Sequence, residues 1–339
     1  MNELKQAIKD KARQLGFILA GVTSSEPPEY YNVYEQWLGK NMHGAMAYLS
    51  EERNRLRRSD PKQILPECKS ILVLAIPYSP LMQDDQAFQI ASYAFGDDYH
   101  DVLPQRLQEI VSFIEAQLGH SVLNRYYTDT GPVLERELAQ RAGLGWIGKN
   151  SMLINPNKGS TFFLAEILLD LELEPDVPFA TDHCGTCTRC ITACPTQCIL
   201  PNRTLDATRC ISYLTIENKD EIPDELRPQL QNWVFGCDIC QQVCPWNRFS
   251  QPPDPAFEAK IPLPVLTSDL LLTPVEFNQR FKKSPIKRTK RRGYLRNLSI
   301  AVGNHKNKKD VPILKQALQN EEPLIQEHIK WAIGKMENE

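Results

Sequence analysis

Residues 184–195 read Cys184-x2-Cys187-x2-Cys190-x3-Cys194-Pro195, and the ending returns downstream as Cys237-x2-Cys240-x3-Cys244-Pro245, with Cys210 between. Nine of the ten cysteines in the chain lie from Cys184 to Cys244. The first run has the bacterial ferredoxin spacing, in which the fourth cysteine ligates the other cluster of a two-cluster unit. On that pattern Cys184, Cys187 and Cys190 pair with Cys244 on one 4Fe–4S cluster. Cys194, Cys210, Cys237 and Cys240 hold the second, and Cys198 is left over. Short loops wrap successive corners of each cluster, and the proline after Cys194 and after Cys244 turns the chain away without a competing N–H. Zinc ribbons also use Cys-x2-Cys pairs, but the triple run is poor for zinc and its ending repeats. A disulfide framework belongs to secreted chains, and nothing else here says secretion.

A chain of 339 residues, 42% hydrophobic, has material for two or three domains with cores of their own. Its start, Met1-Asn2-Glu3-Leu4-Lys5, is polar and has no apolar signal region, so no signal peptide is expected. The longest clean apolar run, 71–76, is too short to span a membrane. A soluble, cytoplasmic, monomeric protein with no membrane contact is the expectation, and it suits thiolate-held clusters. The net charge of −3 hides an asymmetry: residues 282–309 hold 11 Lys or Arg and no acid, which leaves 28 basic against 42 acidic residues elsewhere. Most charge runs are solvated helix faces. One this long and acid-free suggests a polyanionic partner, with nucleic acid the leading class.

Ahead of the cysteines, helical and strand text alternate, which reads as a mixed α/β or α+β body. Helices are expected at 2–15, 30–38, 42–48, 103–118 and 133–142. Strands are expected at 17–22, 70–77, 121–128, 151–154 and 160–169. Glycines 143, 145 and 148 match G-x-G-x-x-G, but the loop runs from helix into strand and lacks a Lys-Ser/Thr ending. A phosphate loop is therefore rejected, and the glycines are read as letting backbone approach something flat and bulky. Behind the cysteines, 252–264 is a proline-rich linker. Helices follow at 295–302, 311–318 and 323–336, the last two resembling one HEAT-type pair that must pack on the rest of the protein.

Asp129 stands in Asp129-Thr130-Gly131-Pro132, where a strand hands over to a helix. Asp is a preferred N-cap and Pro a preferred first helical residue, so a capping role is one reading. A carboxylic acid at a strand end beside a cofactor is also a natural proton donor. Arg136, further along the same helix, is a candidate to orient substrate or to hold Asp129 charged.

Several motifs together resemble the epoxyqueuosine reductase family. They are Tyr127-Thr128-Asp129-Thr130-Gly131-Pro132-Val133-Leu134-Glu135, Gly143-Leu144-Gly145-Trp146-Ile147-Gly148-Lys149-Asn150, Gly96-Asp97-Asp98-Tyr99-His100, the eight-cysteine layout, and the basic run from Lys287 to Gly293. The resemblance covers nearly the whole chain in order. It implies an oxidoreductase that converts epoxyqueuosine to queuosine at the wobble position of tRNA, the last step of queuosine biosynthesis, with cobalamin fed by two 4Fe–4S clusters. It implies three regions: a cobalamin-binding α/β body over 1–175, a ferredoxin-like double-cluster module over 176–255, and basic, HEAT-like helices over 270–339. It places the proton donor at Asp129 and the corrinoid between body and cluster module. Leu153, Leu164 and Ile167 are expected to wall the corrinoid, with Arg53, Ser92, Asp129 and Ser212 as polar contacts. Lys287, Arg288, Lys290, Arg291 and Arg292 become candidates for tRNA phosphates, and Tyr93, Tyr99 or Trp246 for stacking on a base splayed from the anticodon. An unidentified electron donor is a further partner. The corrinoid signature D-x-H-x-x-G is broken here, because Leu103 follows Asp98-Tyr99-His100 where glycine should stand, and the family's cobalt has no histidine ligand from the protein.

Two rival functions share some of these residues. A reductive dehalogenase-like corrinoid protein acting on small molecules has clusters and cobalamin but no use for the basic run. A ferredoxin-type electron carrier has no use for Asp129.

Overall fold

The computed structural model describes residues 2–78, 87–260, 265–319 and 321–337. The N-terminal part begins with α1 (Asn2–Gln14), β1 (Leu19–Ser24), α2 (Tyr31–Gly39), α3 (Ala47–Ser50), α4 (Glu52–Ser59) and β2 (Ser70–Pro77). It continues through β3 (Gln89–Ile90), α5 (Tyr99–Leu118), β4 (Asn124–Tyr127), α6 (Glu135–Arg141), β5 (Trp146–Ile147), β6 (Leu153–Ile154) and β7 (Phe162–Leu169). The cysteine-rich stretch carries α7 (Arg189–Ala193), α8 (Ile211–Ile216), β8 (Trp233–Phe235) and α9 (Ile239–Gln242). The tail is α10 (Pro274–Arg280), α11 (Lys290–His305), α12 (Val311–Leu318) and α13 (Pro323–Glu337).

The main sheet has the order β1-β2-β7-β4 and is antiparallel throughout. Side chains alternate across it. Leu72, Leu74, Ala165 and Ile167 meet α1 and α5 on one face. Ile71, Val73, Leu164 and Leu168 meet α6 on the other. Both faces of β2 are covered, which is why its sequence is apolar without alternation. Several element starts differ from the sequence expectation by two to five residues, and two of them have a clear local reason. Gly16 (φ +90) turns the chain and Phe17 plugs the core before pairing begins, so the first strand starts two residues late. Asp98 accepts the His100 N–H at 3.0 Å and caps α5, which starts that helix four residues early. Of the helix expected over 42–48, only its end belongs to α3.

The cluster stretch and tail do not sit apart from this body. Strand β3 pairs in parallel with β8. One apolar core joins Phe88, Ile90 and Phe95 to Val234 and Phe235, and to Leu298 and Ile329 of α11 and α13. The Ser92 N–H and hydroxyl both donate to Asp238 Oδ2 at 2.6 Å. Residues 293–303 of α11 are buried without interruption, as expected for a helix enclosed on all sides. Arg296, at 0% exposure, donates to the carbonyls of Leu214 (2.7 Å), Asn218 (2.9 Å) and Asp220 (2.6 Å), which binds α11 to the α8 segment. The expected linker is likewise held down: Asp254 accepts two bonds from Arg106, at 2.7 and 2.8 Å, although residues 261–264 lie outside the described residues. Among the described residues no helix is long and apolar enough to cross a membrane.

Candidate active site

Asp129 does not cap a helix. Helix α6 begins at Glu135, its N-cap is Leu134, and no side chain caps it. Instead Thr128 is anchored, its hydroxyl donating to the Leu164 carbonyl at 2.9 Å. Asp129 follows in the left-handed region (φ +59), a conformation Asp adopts more readily than most residues. That turn presents its carboxyl to a cavity of about 670 Å³.

The first turn of α5 supplies the partners of this carboxyl. The Tyr99 hydroxyl donates to Asp129 Oδ2 at 2.9 Å. His100 Nε2 lies 3.6 Å from the same oxygen, within ion-pair range but beyond a good hydrogen bond, and His100 Nδ1 is 2.8 Å from Asp98 Oδ1. Burial works against charging the His100 ring, but bonding to Asp129 and Asp98 and their negative charge outweigh it, and its pKa rises to about 9. Burial would push the Asp129 pKa up. His100, Tyr99 and the charge of Arg288 together bring it below the ordinary carboxylate value. At neutral pH the pair is thus imidazolium and carboxylate, with the mobile proton on His100. Both ring nitrogens face carboxylates. Sequence reading missed this pairing because Tyr99 and His100 lie some thirty positions from Asp129.

The cavity wall corrects several site expectations. Helix α4 turns Asn54 and Arg58 toward it, whereas Arg53 faces solvent. Leu153 and Leu164 belong to the apolar layer under α6, but Ile167 points to the opposite face of the sheet and is sealed at 0% exposure, so it is no cavity wall. Ser92 spends both polar groups on Asp238, and Ser212 is half-buried on α8. Arg136 is exposed at the cavity wall, and its charge registers at Glu135. Tyr93 and Tyr99 belong to an aromatic pile on Phe163, with Tyr99 stacked on it at 4.3 Å. Trp246 stands edge-on to Trp146 at 5.2 Å. The aromatic rings at the cavity are Tyr30, Tyr34, Trp37 and Tyr48. Tyr34 and Trp37 could have been found from their i, i+3 spacing on one helix face.

The cysteines gather in two groups. Burial first, and then the charges of Cys184, Cys190 and Cys187, push the Cys244 thiol up. Cys237 is raised by burial and then by Cys240, with Cys210 also acting on it. Cys198 is wedged beside this second group, its sulfur 3.5 Å from that of Cys194. The glycine-punctuated loop proves to be a clamp for the first group. Strands β5 and β6 form a hairpin, and a Cβ on Gly145 would come within 2.1 Å of the Ile154 carbonyl oxygen. The close approach that Gly145 and Gly148 permit is therefore to the hairpin's own second strand, whereas Gly143 lies against the Val177 carbonyl. From it the Trp146 indole N–H reaches Cys184 Sγ at 3.4 Å, and Lys149 Nζ holds the carbonyls of Gly185 (2.7 Å) and Cys187 (2.9 Å).

The basic segment divides by role. Arg288 lines the cavity and pairs with Glu217 at 2.5 Å. Arg291 makes a two-pronged pair with Glu321, and Arg292 lies 3.3 Å from Glu322. Lys287 and Lys290 are exposed.

Comparison with known proteins matches residues 183–247 to the 4Fe-4S double cluster binding domain. A cluster-bearing stretch packed on a body that aims an acid into a cavity makes this an iron–sulfur oxidoreductase. Residues 58–130 match the family model described as epoxyqueuosine reductase QueG, DUF1730. The epoxyqueuosine reductase of Cyclobacterium marinum is 45% identical over 86% of this chain and 95% of its own length. That of Escherichia coli K12 is 37% identical over 98% of this chain and 90% of its own. A crystal structure of epoxyqueuosine reductase with a tRNA-Tyr epoxyqueuosine-modified tRNA stem loop superposes with a TM-score of 0.89 at 32% identity, covering 99% of this chain and 90% of that one. The chain belongs to the epoxyqueuosine reductase family.

Proposed function

We propose that this chain reduces the epoxide of epoxyqueuosine to queuosine at the wobble position of tRNA, with cobalamin in the cavity and two 4Fe–4S clusters supplying electrons from an unidentified one-electron donor. The reading takes it as a cytoplasmic monomer. The observation that carries it is the Asp129 carboxyl at the cavity wall, ion-paired with His100 behind it, a proton source aimed where a leaving oxygen can be met.

The residues present fit the cofactors. Cys184, Cys187, Cys190 and Cys244 would hold one cluster, and Cys194, Cys210, Cys237 and Cys240 the other, since each set supplies the four thiolates that a 4Fe–4S cluster takes. The flat faces of Tyr34 and Trp37, the backbone of the 130–134 turn, and Arg58 and Arg136 suit a large amide-fringed macrocycle. No histidine lines the cavity among its described residues, so the protein would offer cobalt no imidazole. When bound, the corrinoid supplies low-valent cobalt as the reductant at the epoxide carbon.

The protein's own work is proton delivery and placement. An alkoxide is a poor leaving group, so the oxygen needs an acid as the C–O bond breaks. His100 passes its Nε2 proton to Asp129, and Asp129 gives it to the epoxide oxygen. Tyr99 keeps the carboxyl in place. The modified base must leave the anticodon stack to enter, and Tyr48 and Arg288 meet it at the cavity. Lys287 and Lys290, carried ahead of the HEAT-like α12–α13 pair, take tRNA phosphates. A ferredoxin-type carrier has no use for this acid.

The test is anaerobic reconstitution with iron, sulfide and cobalamin, followed by assay of epoxyqueuosine-containing tRNA under a strong reductant. Queuosine that forms only with cobalamin is expected. Fully loaded protein that forms none would overturn the reading.

A further inference from the structure

Glu166 lies mid-strand in β7, opposite Val73 of β2 and Tyr127 of β4. It is 0% exposed, and neither carboxyl oxygen has a hydrogen-bond partner among the described residues. An ionised carboxylate so placed is far too costly, so this side chain is a neutral acid. By strand alternation it shares the face of Leu164 and Leu168, the face covered by α6. Helix α6 opens with Glu135, which lines the cavity together with Asp129.

The groups around this pair come from β7, α6, the turn that carries Asp129, α5, α4 and the segment just before α11. Glu166 feels Glu135 and Asp129. Glu135 feels Asp129 together with the cations Arg136 and Arg58. Asp129 feels His100, Tyr99 and Arg288. Burial first, and the neighbouring carboxylates second, lift Glu166 well above the ordinary carboxyl range. Burial, then Asp129, lifts Glu135 to about 7.

The stoichiometry of the proposed reaction gives this pair a task. Converting an epoxide to an alkene breaks both C–O bonds and forms one C=C bond. It takes two electrons, here from the one-electron donor through the clusters, and two protons, which leave with the oxygen as water. The His100–Asp129 pair holds one mobile proton. The second is needed while the modified base fills the cavity. We propose that Glu135 and Glu166 form a buried proton store that recharges Asp129 for the second protonation of each turnover. This rests on the reduction proposed above. Both residues act through Asp129 as positioning residues. Glu135 borders the cavity, so the store refills from water once product has left.

The test compares the reconstituted holoenzyme with Glu166→Gln and Glu135→Gln, which keep shape and remove the acid. Both are expected to keep their clusters and cobalamin by absorption spectrum and to keep KM. Their kcat is expected to fall on the order of 100-fold, the low end of what a positioned acid contributes. The wild-type kcat should decline as pH rises through about 7, the Glu135 value, and Glu135→Gln should lose that limb. Infrared spectroscopy reads the store without turnover: wild type at neutral pH should show a protonated-carboxyl C=O band, shifted in D2O, that Glu166→Gln lacks. If Glu166→Gln does not fold, the wild-type band and Glu135→Gln decide. A wild-type spectrum with no protonated-carboxyl band, or a kcat and pH profile unchanged in Glu135→Gln, would overturn the store. Wild type that carries the band but makes no queuosine would overturn the reaction and leave the buried acid pair standing.

Discussion

His100 Nε2 sits 3.6 Å from Asp129 Oδ2, and His100 Nδ1 sits 2.8 Å from Asp98, so one imidazole bridges two carboxylates. The ring is charged below its pKa of about 9. If its proton is the first one delivered, kcat/KM should be flat through neutral pH and fall as pH rises through about 9. His100→Asn should abolish that limb. The same shift has a stability sign. The folded pKa lies above the unfolded value, so the stabilisation is complete below about 6.5 and is lost as pH climbs through about 9. A profile with no descending limb near 9 in kcat/KM would remove His100 from the proton path.

Asp129→Asn should retain iron, sulfide and cobalamin yet lose turnover by roughly 10²–10⁴-fold, the span of a positioned acid. Tyr99→Phe removes only the hydroxyl that bonds Asp129 at 2.9 Å, so it should cost far less. Single-turnover assay of the two loaded variants checks the ranking, and Asp129→Asn with normal turnover would end the donor role.

Cys198 stands 3.5 Å from the Cys194 sulfur and outside both ligand sets. Cys184→Ala should lower the iron content by one cluster, about four irons per chain. Cys198→Ala should leave it unchanged. Loss of a cluster in Cys198→Ala would mean that this cysteine, and not Cys194 or Cys210, completes the second set.

The basic residues should separate by assay. Arg291→Glu faces the buried Glu321 carboxylate with a like charge, which should destabilise the tail by about 2–3 kcal/mol and lower the melting temperature. Lys287→Glu with Lys290→Glu should leave melting unchanged and weaken tRNA binding. Each lost phosphate contact flattens the salt dependence of log K by roughly 0.7–0.9. A salt slope unchanged in the double variant would place the docking surface elsewhere.

How much of this was legible beforehand depends on how far apart the interacting residues lie. The cluster stretch could be read because iron–sulfur ligation is written in short spacings, and residues 183–247 indeed match a double-cluster domain. Strand β2 could be read because eight consecutive buried positions demand apolar residues. Asp129 could be singled out, but not told from a helix cap, since both readings use the same four residues. Arg53 and Arg58 look alike in sequence, and the rotation of α4 about its axis decides which one meets the cavity. The acid-free run from 282 to 309 looks like a single cationic face. Folding gives Arg296 to backbone carbonyls and Arg291 to Glu321, and leaves Lys287 and Lys290 to solvent.

The sequence by itself determined the cluster chemistry, the apolar strand and the carboxyl worth testing, because each is encoded in neighbouring residues whose spacing sets their geometry. Only the tertiary structure decided what surrounds that carboxyl. His100 arrives from α5, Arg288 from the tail, and Glu135 with Glu166 from α6 and β7. These groups act on the carboxyl through space, in an arrangement that exists only once those elements have packed.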